Sequence, residues 1–319
     1  MANIVGLVLP FFGMIFVGAL AARISRQPPD ALAWMNIFVV YVALPALFFQ
    51  LISRTPVDQL TEWRFIGGAV LATYLVFTIM FVGSLLVTRN LAETTIKSLS
   101  AAYGNIGYMG PGLALLAFGP DAAVPVALIF CFENTLHFTV APLMMALSGG
   151  RRQSAARLAL DVVTKVVTHP FIVATAAGVF AAVFELQVPT AISTLLDYFA
   201  QAAAPCALFA MGVTLASRPL RRMPSELTAI APLKLIIHPT LCYLILSLIG
   251  NFDSVWVYSA VILAALPTAT NVFVIAQQYD VWVQRASASV LITTVASIGT
   301  ITALLYLIQS GILPPDLFP

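Results

Sequence analysis

The sequence predicts an all-α integral membrane protein. Its ten transmembrane helices form two inverted five-helix repeats, with helices 4 and 9 broken in mid-span. Three observations carry this expectation. First, of 319 residues 61% are apolar and 9% charged, and the mean hydropathy is +0.98; soluble domains hold about 25% charged and about 45–50% apolar residues. Second, the basic residues concentrate in alternate loops. Third, the two halves of the chain repeat proline and glycine positions at an offset near 160.

Apolar runs bounded by charged or turn residues place the spans at 4–22, 34–52, 65–87, 94–118, 122–147, 161–184, 193–216, 228–250, 254–278 and 286–309. Each can cross a hydrocarbon core, which takes about 20 residues. The first run has no basic region before it and no cleavage site before Arg23, so it is expected to stay as a span rather than leave as a signal peptide. No loop is long enough for a soluble domain. Thirteen of the fifteen Lys and Arg residues fall after the odd-numbered spans, and only Arg54 and Arg64 fall elsewhere. Basic loops stay cytoplasmic, which puts both termini outside the cytoplasm; a plasma membrane, such as a bacterial inner membrane, is the expected location.

The repeat is read at particular positions. Pro10-Phe11 recurs as Pro170-Phe171, Gly18 as Gly178, and Pro45 as Pro205, all 160 apart; Pro111 meets Pro267 at 156. The boundary falls between 1–150 and 151–319. Five spans per copy is an odd number, so the second copy enters from the opposite face, as in alternating-access carriers.

Span 4 carries Gly104, Gly107, Gly110, Pro111 and Gly112 within nine residues. Glycine costs a helix about 1 kcal/mol and proline about 3, so the helix breaks. Within hydrocarbon such a break survives only inside protein or beside a polar cavity. Pro111 suits the first turn of a new helix. Span 9 breaks at Pro267, where Thr268, Thr270 and Asn271 can cap released backbone groups. A half-helix N-terminus offers free N–H groups and about half a positive charge, which suits an anion. The candidate substrate-binding residues are therefore Asn105, Gly107, Tyr108, Gly110, Pro111, Pro267, Thr268, Thr270 and Asn271.

Asn105-Ile106-Gly107 with Gly110-Pro111, Leu44-Pro45-Ala46-Leu47-Phe48, and the stretch from Thr270-Asn271 to Gln278-Tyr279 resemble the auxin efflux carrier family over essentially the whole chain. The resemblance implies two crossing broken helices, a scaffold of spans 1, 2, 6 and 7, and a mobile domain of spans 3–5 and 8–10. It also implies that Asn105 and Asn271 bind a substrate carboxylate, and that the carrier is a homodimer. The short 149–160 loop is more like that of bacterial members, some of which carry malonate or malate.

Glu133 and His137 lie four apart on one face of span 5, near Asn134 and Thr135. A carboxyl at that depth is costly to keep charged, so the pair are candidates for proton coupling, with a structural Glu–His tie as the alternative. Lys165 to Pro170 and Lys234 to Pro239 share Lys-x-x-x-His-Pro, and these lysines are expected to snorkel to the interface, with a gating or anion-attracting role as the alternative. Trp63, Trp256 and Trp282 are expected as interfacial anchors.

The expected function is secondary transport of small organic anions, with protons as a candidate co-substrate and the lipid bilayer as surroundings. The alternative is a cation/proton antiporter or sodium-coupled symporter of related fold. The near-neutral charge gives no field for nucleic acid. Cys131, Cys206 and Cys242 have no metal-like spacing, so no cofactor or metal is expected. The sequence has no His-Glu-x-x-His or Gly-x-Ser-x-Gly pattern, which argues against an enzyme.

Overall fold

The computed structural model describes residues 2–149, 167–216 and 225–318, with isolated positions at 157, 160, 163 and 164. Arg151, Arg152, Lys165, Arg218, Arg221 and Arg222 lie outside the described residues, as does most of the start of predicted span 6. Among the described residues the chain is helical and contains no strand. The helices are α1 (Ala2–Ser25), α2 (Ala33–Ser53), α3 (Trp63–Thr88), α4 (Leu91–Ala102), α5 (Gly110–Phe118) and α6 (Ala123–Leu147). They continue with α7 (Pro170–Val183), α8 (Thr190–Ala216), α9 (Leu227–Ile249), α10 (Ser254–Ala265), α11 (Thr270–Tyr279) and α12 (Val283–Gln309). Among the described residues, six stretches are long and apolar enough to cross a membrane: α2, α3, Pro120–Leu147, α8, α9 and α12. The other four apolar segments of the sequence fall on α1, α7 and the broken pairs α4–α5 and α10–α11.

Proline sets the local form of two of these helices. Residues Val39–Ala43 of α2 and Leu233–Ile237 of α9 are π-helical, and each stretch ends two residues before a proline, Pro45 or Pro239. A proline offers no N–H and clashes with the carbonyl four residues back. Widening the preceding turn relieves that clash without ending the helix.

The chain forms two compact bodies. The first comprises Met1–Trp63, Gly107–Cys131 and Val167–Pro219, and so holds α1, α2, α5, the first turns of α6, α7 and α8. Its helices meet through small residues. A Cβ on Gly18 would stand 2.2 Å from Phe209 O, and one on Gly212 only 1.9 Å from Ile15 O, so α1 and α8 touch backbone to backbone. Gly178 meets Ile52 at 2.9 Å and Phe49 O at 3.1 Å, which packs α7 on α2. Phe48, Phe130 and Phe171 form an aromatic cluster with centroids 4.8–5.8 Å apart. Gln50 Nε2 donates to Ser193 O, and Arg54 pairs with Asp197 at 3.6 Å on the surface.

The second body comprises Arg64–Ile106, Phe132–Val166 and Leu220–Pro319. Its core is built from α3, α4, the end of α6, α9, α11 and α12, with Phe77, Met80, Leu99, Tyr103, Val272 and Ile275 among its members. Lys97, almost fully buried, joins three helix starts. It bonds Glu93 on its own helix at 2.7 Å and Glu226 before α9 at 3.2 Å, and Glu226 in turn takes Arg285 of α12 at 2.7 Å. Arg64 Nη2 donates to Ile249 O, an otherwise open carbonyl at the end of α9. Trp63 is exposed, as an interfacial anchor would be, whereas Trp256 packs edge-on to Phe65. Trp282 departs from the anchor role: its ring faces Lys97 Nζ at 6.0 Å and its Nε1 is buried.

Candidate functional site

Both helix breaks expected from the sequence are present. Helix α4 stops at Ala102, and the chain turns extended at Tyr103 (ψ 102°). Helix α10 stops at Ala265, and Leu266 and Ala269 are extended (ψ 149° and 142°). Within the second body the two extended stretches cross and pair antiparallel through Gly104 and Thr268. Asn105 N donates to Pro267 O at 2.8 Å, and Ala269 N donates to Tyr103 O at 2.9 Å. Each break thus supplies the backbone partners the other lost, which is what a helix interruption in hydrocarbon requires.

Thr268, fully buried, completes the crossing. Its hydroxyl donates to Ser100 O at 2.7 Å, and its N–H donates to Thr293 Oγ1 at 3.1 Å. Of the three residues expected to cap released groups, Thr268 does so. The N-cap of α11 is Ala269, with no side-chain cap. Asn271 turns instead to Tyr103, donating from Nδ2 to the phenol oxygen at 2.8 Å. The Tyr103 hydroxyl donates in turn to Asn134 Oδ1. Gly104 lets the chains close up at the crossing: a Cβ there would stand 3.1 Å from Leu263 O and 3.3 Å from Lys234 Nζ, a tight contact.

The predicted substrate residues divide between the bodies. Asn105, Pro267, Thr268, Thr270 and Asn271 sit at the crossing in the second. Gly107, Tyr108, Gly110 and Pro111 belong to the first, where Gly110 and Pro111 open α5 as expected for a new helix start.

Beside the crossing, α3, α6 and α9 bury a polar chain. Thr73 Oγ1 lies 2.6 Å from Glu133 Oε1 and 2.9 Å from His238 Nε2. His238 Nδ1 lies 2.9 Å from Lys234 Nζ, which also donates to Ala264 O at 2.5 Å. Lys234 and Thr73 are 0% exposed, His238 2% and Glu133 5%. Snorkelling of Lys234, expected from its place near a span start, is therefore wrong: it points inward because an imidazole and a carbonyl lie there to hold it. Glu133 and His137 share a face, but they bond different partners. His137 stacks on Tyr103 with centroids 4.0 Å apart, and its Nδ1 lies 3.4 Å from Tyr74 OH. Its Nε2 is buried with no partner.

Sequence reading missed Thr73, Tyr103, Asn134, Lys234 and His238 as members of the site. Thr73 and Tyr103 carry no local signal. Lys234 and His238 did, through their shared motif. Among the described residues no cluster of His, Cys, Asp or Glu could hold a metal ion.

The profile of a family described as membrane transport protein matches residues 3–306. The chain belongs to this family, the auxin efflux carriers. A protein of Rhizobium meliloti (strain 1021) named "Putative malonate transporter" is 61% identical over the full length of both chains. An "Uncharacterized transporter" of Methanothermobacter thermautotrophicus is 25% identical over 91% of this chain and 94% of its own. The "Uncharacterized transporter YfdV" of Escherichia coli (strain K12) is 22% identical over 95% and 96%. This auxin efflux carrier family member is a multi-pass membrane protein of a transport family.

Proposed function

We propose that this carrier moves small organic acid anions, malonate among them, and binds the carboxylate at the helix crossing through Asn105 and Asn271. The observation that carries the reading is the crossing itself. Two helix interruptions satisfy each other's backbone and leave two amide side chains beside them, next to a buried ammonium, in a chain 61% identical to a relative whose printed name gives malonate. Amide donors and helix starts can hold a carboxylate where hydrocarbon surrounds the site. Gly107, Tyr108, Gly110 and Pro111, in the first body, stay candidate substrate residues by sequence alone.

The ten-span inverted repeat belongs to the same proposal, with 1–150 and 151–319 as its copies and both termini outside a plasma membrane. Its support is the numbering of two close contacts. Gly18 lies on Phe209 O and Gly178 on Phe49 O, and each residue of one pair lies 160 from its counterpart in the other, as an internal two-fold relation requires. The buried Glu133 favours the cation/proton antiporter as second reading, because such exchangers use a membrane carboxyl.

The test is uptake of radiolabelled malonate into proteoliposomes. Wild type should take it up, and Asn105→Ala with Asn271→Ala should abolish it. Movement of sodium or potassium against protons, with no movement of malonate, malate or other small acids, would refute the anion reading in favour of the antiporter.

A further inference from the structure

The polar chain beside the crossing has a direction, and one side chain fixes it. An ammonium has three donors and no acceptor. Lys234 Nζ therefore donates to His238 Nδ1 as well as to Ala264 O. With the Nδ1 lone pair used, the imidazole proton sits on Nε2 and is donated to Thr73 Oγ1. Of the two acceptors the Thr73 hydroxyl reaches, Glu133 Oε1 at 2.6 Å takes its proton over Ala69 O at 3.3 Å. Every bond points from Lys234 towards Glu133.

Lys234 also reaches the crossing. A Cβ on Gly104 would stand 3.3 Å from its Nζ, so the ammonium rests against the paired backbone one residue before Asn105. Ala264, the carbonyl it holds, precedes the second break by two residues. One end of the chain is thus a cation at the carboxylate site and the other a carboxyl, which among the described residues is the sole buried one. The remaining ionisable groups around the pair are Tyr74 from α3, Tyr103 from the end of α4, His137 from α6 itself and Cys242 from α9. Among them none is a second acid.

We propose that Lys234, His238, Thr73 and Glu133 form a proton relay that loads one proton onto Glu133 for each carboxylate bound at the crossing. The proposal deepens the reading of the crossing as a carboxylate site and rests on it. In the empty carrier Lys234 and Glu133 are each other's counter-charge. A substrate carboxylate docked against Lys234 takes over that role. Lys234 Nζ then gives a proton to His238 Nδ1, His238 Nε2 gives one to Thr73 Oγ1, and Thr73 gives its own to Glu133. Three N–H or O–H bonds break and three form, leaving an amine at one end and a carboxylic acid at the other. Water on the crossing side returns a proton to the amine. Because His238 now carries its proton on Nδ1, Lys234 turns its N–H bonds to the substrate and to Ala264 O. The sum is one aqueous proton taken up, with the cation restored beside the anion and Glu133 neutral. Release runs the same steps backwards.

The experiment uses full-length protein in proteoliposomes with labelled malonate, in wild type, Thr73→Val, Thr73→Ser and Glu133→Gln. Two quantities are read: malonate–malonate exchange, which needs no net proton movement, and the steady accumulation ratio under an inside-alkaline gradient. Wild type should accumulate up to about tenfold per pH unit, with proton entry seen by an internal pH dye. Thr73→Val and Glu133→Gln should still exchange malonate but bring the accumulation ratio down to one, and Thr73→Ser should restore it. Accumulation at the wild-type ratio in Thr73→Val or Glu133→Gln overturns the relay. So does a wild type that exchanges malonate yet ignores the gradient, and so does loss of exchange in these variants, which would assign the residues to substrate binding. If wild type exchanges no small carboxylate at all, the carboxylate reading of the crossing falls and the relay with it.

Discussion

Replacing Lys234 with methionine removes the cation of the buried chain while keeping the length of the side chain. The structure sets what is lost. Ala264 O and His238 Nδ1 each lose a donor at 2.5 and 2.9 Å, and Glu133 loses its counter-charge. A neutral interhelical hydrogen bond in a membrane protein contributes about 0.6 kcal/mol. Breaking a buried ion pair by removing one partner costs about 3–5 kcal/mol, because the survivor stays charged and unpaired. The two figures differ enough to decide between an ionic and a neutral chain. Lys234→Met should cost about 3–5 kcal/mol by reversible unfolding in detergent micelles, and Glu133→Gln should cost a similar amount. The double variant should recover most of the loss, since Gln and Met leave no charge behind, giving a coupling of at least about 2 kcal/mol. A Lys234→Met cost near 0.6 kcal/mol, or additive single effects, would refute the ionic chain and the direction argued from it.

Gly212→Ala puts a Cβ 1.9 Å from a backbone oxygen that cannot move alone, so α1 and α8 must part; it should cost about 3 kcal/mol in thermal unfolding, the upper end for overpacking. Gly13→Ala on α1, with open space around it, should be neutral or stabilising and serves as the control. Tyr103→Phe removes the hydroxyl between Asn271 and Asn134; it should cost about 1–3 kcal/mol in folding and weaken malonate uptake through a higher KM, because Asn271 loses the partner that orients it. The Glu226 carboxyl is held below the ordinary glutamate value of 4.5: burial works the other way, but a backbone hydrogen bond, Lys97 and Arg285 outweigh it. Its stabilisation is therefore full above 4.5 and lost as pH falls through the lower folded value. Glu226→Gln should lower the thermal midpoint at pH 7, and its difference from wild type should vanish on acidification.

The helices were legible because each rests on a local cause. Apolar length set them, and glycine with proline set where α4 and α10 stop. Gly18 and Gly178 were visible as an echo in the sequence, although the backbones they admit, Phe209 and Phe49, were not. The crossing was half legible. Span 4 announced its break with four glycines, and Pro267 announced the other, but that the two should pair through Gly104 and Thr268 depends on tertiary placement. Tyr103 illustrates the limit. Nothing in its neighbours distinguishes it from a packing aromatic, yet its hydroxyl joins α11 to α6.

Lys234 was misread for a reason that can be stated. A lysine a turn or two inside a span normally extends its stem back to the interface, where its charge stays hydrated. The π-helical turn ahead of Pro239 carries Lys234 into the core of the second body, four residues before His238. Charge balance would have corrected the reading. Glu133 is the sole acid deep in any predicted span, and a carboxylate in hydrocarbon needs a cation within reach. All three lysines, Lys97, Lys165 and Lys234, fall inside predicted spans, and Lys234 stands deepest, six residues past the start of span 8. A snorkelling lysine and an unpaired mid-span carboxylate are each tolerable alone, but together they leave an unanswered charge. Pairing them answers it, and the partner found for the acid then lies against the backbone of the proposed substrate site.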